Sequence, residues 1–189
     1  MNLYHVGFNI IEEIELNYGR KNADFGQGFY LSSNYEFSTK WAKIRKENDT
    51  IINKYFLNTD DLKILEFKSR DEKWFEYIFK NRNGHNDIYK DYDVIIGPIA
   101  NDTIFDLYGI VTSGLIDNNL ALKILNVGPL YIQVVIKTEK AKSNLKFIDY
   151  EILDKKIIEN NKNEIKIFEE EYQNLVFSLL DDDIIDMLS

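Results

Sequence analysis

The sequence predicts a single α+β domain followed by a helical tail. Apolar and aromatic runs typical of strands are interspersed with helical patterns, but the two do not alternate regularly as they do in parallel α/β folds. The chain has 189 residues, which fits one domain, and 44% of them are apolar, enough to bury a core. Beyond residue 150 the sequence becomes charged and Asn-rich, with apolar residues at helical spacing. We therefore predict a domain over residues 1–150 and an acidic helical appendage over residues 151–189.

The predicted strands are apolar runs bounded by turn residues. They lie at residues 3–8, 24–33, 51–57, 62–68, 92–96, 130–138 and 146–148. In the sixth run, Tyr131, Gln133 and Val135 face one way and the residues between them face the other. Gln133 is unusual there, because a buried amide needs hydrogen-bond partners at both of its ends.

Helices are predicted where apolar residues recur at helical spacing behind a capping residue. The first begins at about Asn34, because Ser33 and Glu36 form a capping box, and it runs to about residue 47. Its apolar face consists of Phe37, Trp41 and Ile44. Further helices are predicted over residues 71–82, behind a cap at Asp102, and over residues 118–125, with a helical turn or two in residues 10–16.

Composition excludes several classes of function. The chain has no cysteine and two histidines, which removes thiolate chemistry and a multi-histidine metal centre. It carries 23 Lys and Arg against 32 Asp and Glu, and the net charge of −9 disfavours broad binding to nucleic-acid phosphates. No apolar run is long enough to cross a membrane and no leader pattern is visible, so a cytoplasmic protein is expected. No phosphate-binding loop, dinucleotide fingerprint or nucleophile elbow occurs, which argues against an NTPase and a redox dehydrogenase.

The stretch of residues 24–41 is the most informative part of the chain. Gly26 and Gly28 mark a place where the backbone bends or approaches another group closely. A short strand that contains Tyr30 follows, and it enters the predicted first helix, which carries Ser38. A strand that enters a helix in this way can line a small-molecule pocket.

Three separated segments together resemble the motifs of the ADP-ribosyltransferase superfamily. They are Leu3-Tyr4-His5, Gly28-Phe29-Tyr30-Leu31 and Tyr131-Ile132-Gln133-Val134-Val135. The similarity is to the diphtheria-toxin and poly(ADP-ribose) polymerase branch, whose signature is His, Tyr and a final Glu. The finer pattern resembles a bacterial family of transferase-like proteins that has Gln in place of the Glu. The blocks that correspond to it here are residues 24–30, Trp41, Asn81 with Arg82, residues 92–102 and residues 133–138.

The resemblance implies a split, two-sheet α+β sandwich that binds NAD⁺ as its substrate and needs no metal. It implies that His5 bonds the ribose next to the nicotinamide, and that the backbone at Val6 holds the carboxamide. Tyr30 would stack on the nicotinamide ring. The other contacts implied for NAD⁺ come from Gly28, from Ser38 as a bond to the carboxamide, and from Trp41 as a second stacking face.

The expected chemistry depends on charge at the ribose. The nicotinamide ring of NAD⁺ is a cation, which an aromatic face attracts by about 0.5–2 kcal/mol. As the glycosidic bond breaks, positive charge moves to the ribose, so a negative group there favours the transition state selectively. Gln133 stands where the superfamily has its Glu, and neutral hydrogen bonds are about half as strong as charge-assisted ones. Candidates for the missing charge are Glu139, Asp24 and Asp102, and candidates for binding the pyrophosphate are Arg20, Lys40 and Lys43.

These residues lead to one principal expectation and two alternatives. The principal expectation is an NAD⁺-dependent mono-ADP-ribosyltransferase in which His5, Tyr30 and Gln133 are catalytic and nicotinamide is released. The acceptor is expected to be a protein or a nucleic acid. Relatives of this kind resemble toxins encoded with a small antitoxin, so the resemblance implies such a protein partner. The alternatives are a non-catalytic NAD⁺ or ADP-ribose binding module and an NAD⁺ glycohydrolase, in which water replaces the acceptor.

Overall fold

The computed structural model describes residues 1–40, 42–45, 48–100, 118–126 and 130–161, and the isolated positions 170, 174, 175 and 178. The strands are β1 (Asn2–Gly7), β2 (Phe29–Ser32), β3 (Ile51–Leu57), β4 (Ile64–Glu66), β5 (Val94–Pro98), β6 (Ile132–Ile136) and β7 (Leu145–Ile152). The helices are α1 (Tyr35–Lys40), α2 (Glu72–Arg82), α3 (Asn118–Leu125) and α4 (Glu139–Ser143), and residues 155–161 are also helical. A 3₁₀ turn occupies Leu16–Tyr18.

The described strands form one mixed sheet in the order β4-β5-β6-β2-β1-β3-β7. β4 and β5 run parallel, and every other neighbouring pair in this sheet is antiparallel. The helices do not alternate regularly with the strands along the chain. The predicted α+β class is therefore confirmed.

The sheet opens near its centre, between β1 and β2. β1 pairs with β3 over its whole length. In the described part of the chain, β1 and β2 are joined at a single residue pair, Tyr4 with Ser32. Continuing that register would place Val6 opposite Tyr30, yet these two residues are not paired. Residues two apart on a strand share a face, as do paired residues. The side chains of these four residues therefore share a face, and the backbone ladder is interrupted between Val6 and Tyr30; we call this interruption the opening of the sheet.

Alternating residues of β6 face two different parts of the core. Val135 packs in the aromatic cluster that includes Trp74 of α2. Val134 and Ile136 pack on the other side with Leu3 of β1. The predicted alternation along this strand is confirmed, and it places the side chain of residue 133 on the same face as Val135.

The first helix is shorter than predicted, and its cap lies one residue later. α1 ends at residue 40 and residues 42–45 are not helical, so the predicted extension to residue 47 was wrong. The Oδ1 atom of Asn34 accepts a hydrogen bond from the N–H of Phe37 at 2.9 Å, whereas Ser33 is exposed. The prediction of Ser33 as the cap was wrong because Asn caps a helix as well as Ser does. The segment after α1 is tied to the sheet instead, since the Thr50 hydroxyl donates to the Lys43 carbonyl at 2.6 Å.

The other predicted elements vary in accuracy. β3 and α2 lie where predicted, and α2 begins behind Asp71, whose carboxylate accepts from the N–H of Trp74 at 2.9 Å. Residues 10–15 are not helical, contrary to the prediction for residues 10–16, and the 3₁₀ turn begins only at residue 16. α4 was not predicted; its cap is Thr138, whose hydroxyl accepts from the N–H of Ala141 at 3.2 Å. The helix predicted behind Asp102 lies outside the described residues.

The beginning of the tail packs on the sheet. β7 runs to Ile152, past the predicted boundary at residue 150. Leu153 and Ile158 are buried in one cluster with Ala42 and Ile52. Most of residues 162–189 lie outside the described residues, so an acidic helical appendage stays a prediction for that part of the chain.

Candidate functional site

His5 lies at the opening between β1 and β2 and is held by the main chain of Tyr30. Its Nδ1 atom is 2.8 Å from the Tyr30 carbonyl oxygen. A carbonyl oxygen only accepts, so Nδ1 carries the proton, and in the neutral ring Nε2 is left as an acceptor. Burial lowers the pKa of His5, and the bond to Tyr30 opposes this only in part. The neutral ring is therefore favoured, and among the described residues no donor occupies Nε2.

The ring of Tyr30 is fixed by its hydroxyl group. The hydroxyl donates to the Gly26 carbonyl at 2.7 Å and accepts from the N–H of Phe25 at 2.9 Å. Burial raises the pKa of Tyr30, and the negative charge of Asp24 raises it further. The phenol therefore stays protonated, and the ring cannot turn away without breaking two hydrogen bonds. Tyr30 pairs with Val135 in register, so its ring lies on the same face as that side chain.

The two glycines of the loop before β2 have different roles. Gly26 has φ 73°, in the left-handed region, and a Cβ there would lie 2.7 Å from Oδ2 of Asp87 and 2.9 Å from Nζ of Lys137. A Cβ at Gly28 would lie 2.6 Å from the carbonyl oxygen of Ile136. The backbone therefore bends at Gly26 and approaches β6 closely at Gly28. Gly28, predicted as a cofactor-binding residue, packs against the β6 backbone.

Gln133 is joined to Asp24, which is the centre of a buried polar cluster. Oδ2 of Asp24 accepts from Nε2 of Gln133 at 3.3 Å and from the N–H of Ala100 at 3.2 Å. Oδ1 of Asp24 accepts from Nε and Nη2 of Arg82 at 2.7 and 2.6 Å. The carbonyl oxygen of Asp24 accepts from Nδ2 of Asn81 at 3.0 Å. Four separate blocks of the sequence pattern thus meet at one place.

Asp24 is also the acidic candidate that the structure places beside Gln133. Its side chain is 13% exposed and that of its partner Arg82 is 8% exposed, so the two form a largely buried ion pair. Glu139 instead lies exposed in the first turn of α4, 3.9 Å from Lys142. Asp102 lies outside the described residues. The site therefore contains a carboxylate next to Gln133, but the charge of that carboxylate is balanced by a guanidinium.

Lys137 and Asp87 form a second buried pair behind the loop of residues 24–28. Nζ of Lys137 lies 2.6 Å from Oδ2 of Asp87 and also donates to the Phe25 carbonyl. The Tyr77 hydroxyl donates to Oδ1 of Asp87 at 2.8 Å. Burial lowers the pKa of Lys137 and raises that of Tyr77, while Asp87 raises both. Sequence reasoning missed this pair, and its one sign is a lysine directly after the apolar strand β6. A cavity of about 390 Å³ borders the pair.

The remaining predicted NAD⁺-binding residues lie on α1, β1 and the surface. Ser38 is buried, and its hydroxyl donates at 2.8 Å to the carbonyl of Asn34, the residue that caps α1. Val6 pairs with Ile52 on β3 and borders the opening of the sheet. Of the basic residues predicted to bind the pyrophosphate, Arg20 and Lys43 are exposed and Lys40 is partly exposed. Trp41, predicted as a second stacking face, lies outside the described residues.

Across the described ranges, no cluster of three or more His, Asp or Glu side chains is arranged to hold a metal ion. In the same parts of the chain, no helix has the length and apolar character needed to cross a membrane.

The fold and the site define an α+β domain whose sheet opens beside a histidine, a tyrosine and a buried glutamine–carboxylate–arginine cluster. Residues 1–147 match the model of a family described as protein of unknown function, DUF3990. The chain belongs to that family, and the matched region contains His5, Tyr30 and Gln133. No curated protein and no solved structure matches the chain.

Proposed function

We propose that this protein is an NAD⁺-dependent mono-ADP-ribosyltransferase with His5, Tyr30 and Gln133 at its active site. The observation that carries the proposal is the opening between β1 and β2, where His5 offers an acceptor nitrogen and Tyr30 a fixed aromatic ring. Neighbouring strands inside a sheet normally satisfy each other's backbone groups, so an internal break favours a binding site. In this proposal the break divides the sheet into the two halves of the split sandwich expected for the superfamily.

The nicotinamide riboside half of NAD⁺ would lie in the break itself. Tyr4, Ser32 and Gln133 form one row across β1, β2 and β6, and strands lie about 4.8 Å apart, so β1 and β6 are separated by roughly 10 Å. The side chain of His5 leaves β1 on the opposite face from this row, but Nδ1 of its ring reaches the Tyr30 carbonyl oxygen in the opening. Nε2 of His5 would accept from one ribose hydroxyl, and the Gln133 carbonyl would accept from the ribose from the β6 side.

Binding of the nicotinamide ring would depend on Tyr30. A cation over its face is stabilised by about 0.5–2 kcal/mol. Because the hydroxyl of Tyr30 is already tied to the loop backbone, no ordering of this ring is needed when the ligand binds. The backbone at Val6 borders the same break and would hold the carboxamide, with Ser38 and Trp41 completing the site as the resemblance implies.

The charge balance at Gln133 determines how fast the reaction can be. A neutral Gln133 carbonyl stabilises the developing oxocarbenium charge less than a carboxylate does, and Arg82 offsets the charge of the nearby Asp24. We therefore propose slow transfer of single ADP-ribose units and no chain elongation. The same balance favours the second candidate function, a module that binds NAD⁺ or ADP-ribose without catalysis. A glycohydrolase, in which water takes the place of the acceptor, is the third.

The test is to incubate pure protein with NAD⁺ and to follow free nicotinamide, with and without cell extract, alongside calorimetric NAD⁺ binding. Release that requires extract supports transfer, and release without extract supports hydrolysis. Binding without release supports the non-catalytic module. Absence of both binding and release overturns the assignment of an NAD⁺ site.

Two variants and a control locate the site. His5→Ala and Tyr30→Ala should each weaken NAD⁺ binding at least about tenfold, the loss expected for one good contact of about 1.4 kcal/mol. Tyr18→Ala is the control, since Tyr18 is 93% exposed on the 3₁₀ turn, and it should bind as the wild type does. If His5→Ala and Tyr30→Ala both bind NAD⁺ as tightly as the wild type, the ligand lies elsewhere.

The acceptor is proposed to be a cytoplasmic macromolecule, either a protein or a nucleic acid. The net charge of −9 disfavours long nucleic acids, because their phosphates are repelled. The proposal includes a small antitoxin protein that binds the transferase and blocks it. Mass spectrometry of the extract after reaction identifies the component that gains ADP-ribose, and modification confined to small metabolites would contradict a macromolecular acceptor.

A further inference from the structure

The amide of Gln133 has one orientation that its surroundings permit. Its Nε2 end lies 3.3 Å from Oδ2 of Asp24, and an ionised carboxylate only accepts hydrogen bonds. Turning the amide over would place two acceptor oxygens against each other. Nε2 therefore faces Asp24, and the carbonyl oxygen Oε1 points away from it. Within the described part of the chain, no donor reaches that oxygen.

Asp24 is held firmly enough to impose this orientation. Two nitrogens of Arg82 bind one of its oxygens and the N–H of Ala100 binds the other. Asn81 binds its carbonyl oxygen, so the backbone at this position is fixed as well. A carboxylate with this set of donors cannot turn to accommodate a different neighbour.

We propose that Asp24 is a positioning residue that directs the carbonyl oxygen of Gln133 toward the opening of the sheet, and that it makes this position selective for Gln over Glu. The inference rests on the proposed function, in which that oxygen accepts from a ribose hydroxyl. It gives a physical reason for Gln where the superfamily has Glu. A carboxylate in place of the amide would lie against the carboxylate of Asp24. Two carboxylates at that distance repel each other, so ionising both costs free energy.

Replacing Gln133 with Glu should make the stability of the protein depend on the ionisation of the introduced carboxyl group. The introduced carboxyl and Asp24 would share a proton, and the pKa of the pair's second ionisation would be raised. While protonated, the introduced group donates to Asp24 through its O–H and keeps its carbonyl toward the opening, as Gln does. Once it ionises, repulsion from Asp24 destabilises the fold and displaces the group.

The experiment compares Gln133→Glu with Gln133→Met, a variant of similar size that does not titrate. Both are made in the wild-type background and in the Asp24→Asn background, and Tm is measured as a function of pH. In the wild-type background, the Tm of Gln133→Glu relative to Gln133→Met should fall as the pH rises above about 4.3, the ordinary Glu value. In the Asp24→Asn background this fall should become smaller, because the repulsion between the two carboxylates is removed. Comparing within each background removes the baseline loss caused by Asp24→Asn itself.

Two readouts separate this inference from the proposed function. A pH-independent Tm difference in the wild-type background, or an ordinary pKa of the introduced carboxyl by carbon NMR, overturns the inference. The rate of nicotinamide release by Gln133→Glu should be close to that of the wild type at low pH and should decline as the introduced group ionises. Gln133→Met should lose at least about tenfold in kcat at every pH with little change in KM, as expected when a transition-state contact is lost. If the titration occurs but the wild type neither binds NAD⁺ nor releases nicotinamide, the orientation by Asp24 stands and the proposed function fails.

Discussion

The Gly26→Ala substitution would place a methyl group against the buried pair of Asp87 and Lys137. Its Cβ would lie 2.7 Å from Oδ2 of Asp87 and 2.9 Å from Nζ of Lys137. The ends of flexible side chains can usually move aside, but the Lys137 side chain is 4% exposed and lies 2.6 Å from its partner. It cannot give way without breaking the pair. Gly84→Ala is the matched control, because Gly84 has φ 74° and no atom within 4 Å of the added Cβ.

The expected losses of unfolding free energy follow from these two environments. An alanine in the left-handed region costs about 1–2 kcal/mol, and this is the whole loss expected for Gly84→Ala. Gly26→Ala carries the same strain and also disrupts a largely buried ion pair, which costs on the order of 3–5 kcal/mol. Because the Asp87 side chain is 20% exposed, water relieves part of this, and we expect an excess over Gly84→Ala of about 3 kcal/mol.

Urea denaturation of both variants measures this excess directly. For a domain of this size it corresponds to roughly 6–12 °C in Tm. In the Lys137→Met background the pair is already lost, so the excess cost of Gly26→Ala over Gly84→Ala should become smaller, as a double-mutant cycle would report. Equal losses for Gly26→Ala and Gly84→Ala in the wild-type background would refute the reasoning, since the ion pair would then move aside at no cost.

Two further predictions concern the residues at the opening of the sheet. Tyr30→Phe should cost about 1–3 kcal/mol of stability, because the N–H of Phe25 loses its acceptor. The variant should still bind NAD⁺ nearly as tightly as the wild type does. A loss of affinity as large as that of Tyr30→Ala would contradict the stacking role of the ring. Burial lowers the pKa of His5 in the folded state. As the pH falls, the unfolded chain therefore binds a proton at this histidine before the folded protein does. The stability present above about pH 6.5 is lost as the pH falls towards the folded-state pKa. His5→Gln should reduce this acid-side fall in Tm. Equal slopes for His5→Gln and the wild type would show that His5 is not buried as a neutral ring.

Elements that depend on local patterns could be predicted from the sequence. β3 has the predicted bounds, and α2 follows its Asp71 cap, because an apolar run and a cap residue act over a few positions. The alternation that separates Val134 from Val135 was predictable for the same reason. The cap of α1 was not, since Ser33 and Asn34 are adjacent residues of equal capping strength, and the backbone geometry decides between them.

The candidate site could be predicted only in part, because its contacts join distant positions. Asp24 bonds Arg82, 58 residues away, and Gln133, 109 residues away. Spacing along a chain carries no information about such contacts, so the sequence named Asp24 as one of three acidic candidates without choosing among them. The pair of Lys137 with Asp87 leaves still less trace, since each residue taken alone is typical of a solvated loop or strand end.

The loop of residues 24–28 connects both polar clusters to the proposed catalytic residues. Its first residue, Asp24, orients Gln133, and the carbonyl of its third, Gly26, accepts from Tyr30. The carbonyl between them, on Phe25, accepts from Lys137. Because the same five-residue loop sets the ring on β2 and the amide on β6, a shift of its backbone would move both at once. Gly26→Ala should therefore weaken NAD⁺ binding as well as stability, and the double variant with Lys137→Met separates the two effects. There the added methyl group no longer meets an ammonium group, so any remaining loss of affinity relative to Lys137→Met alone reports the change in loop geometry.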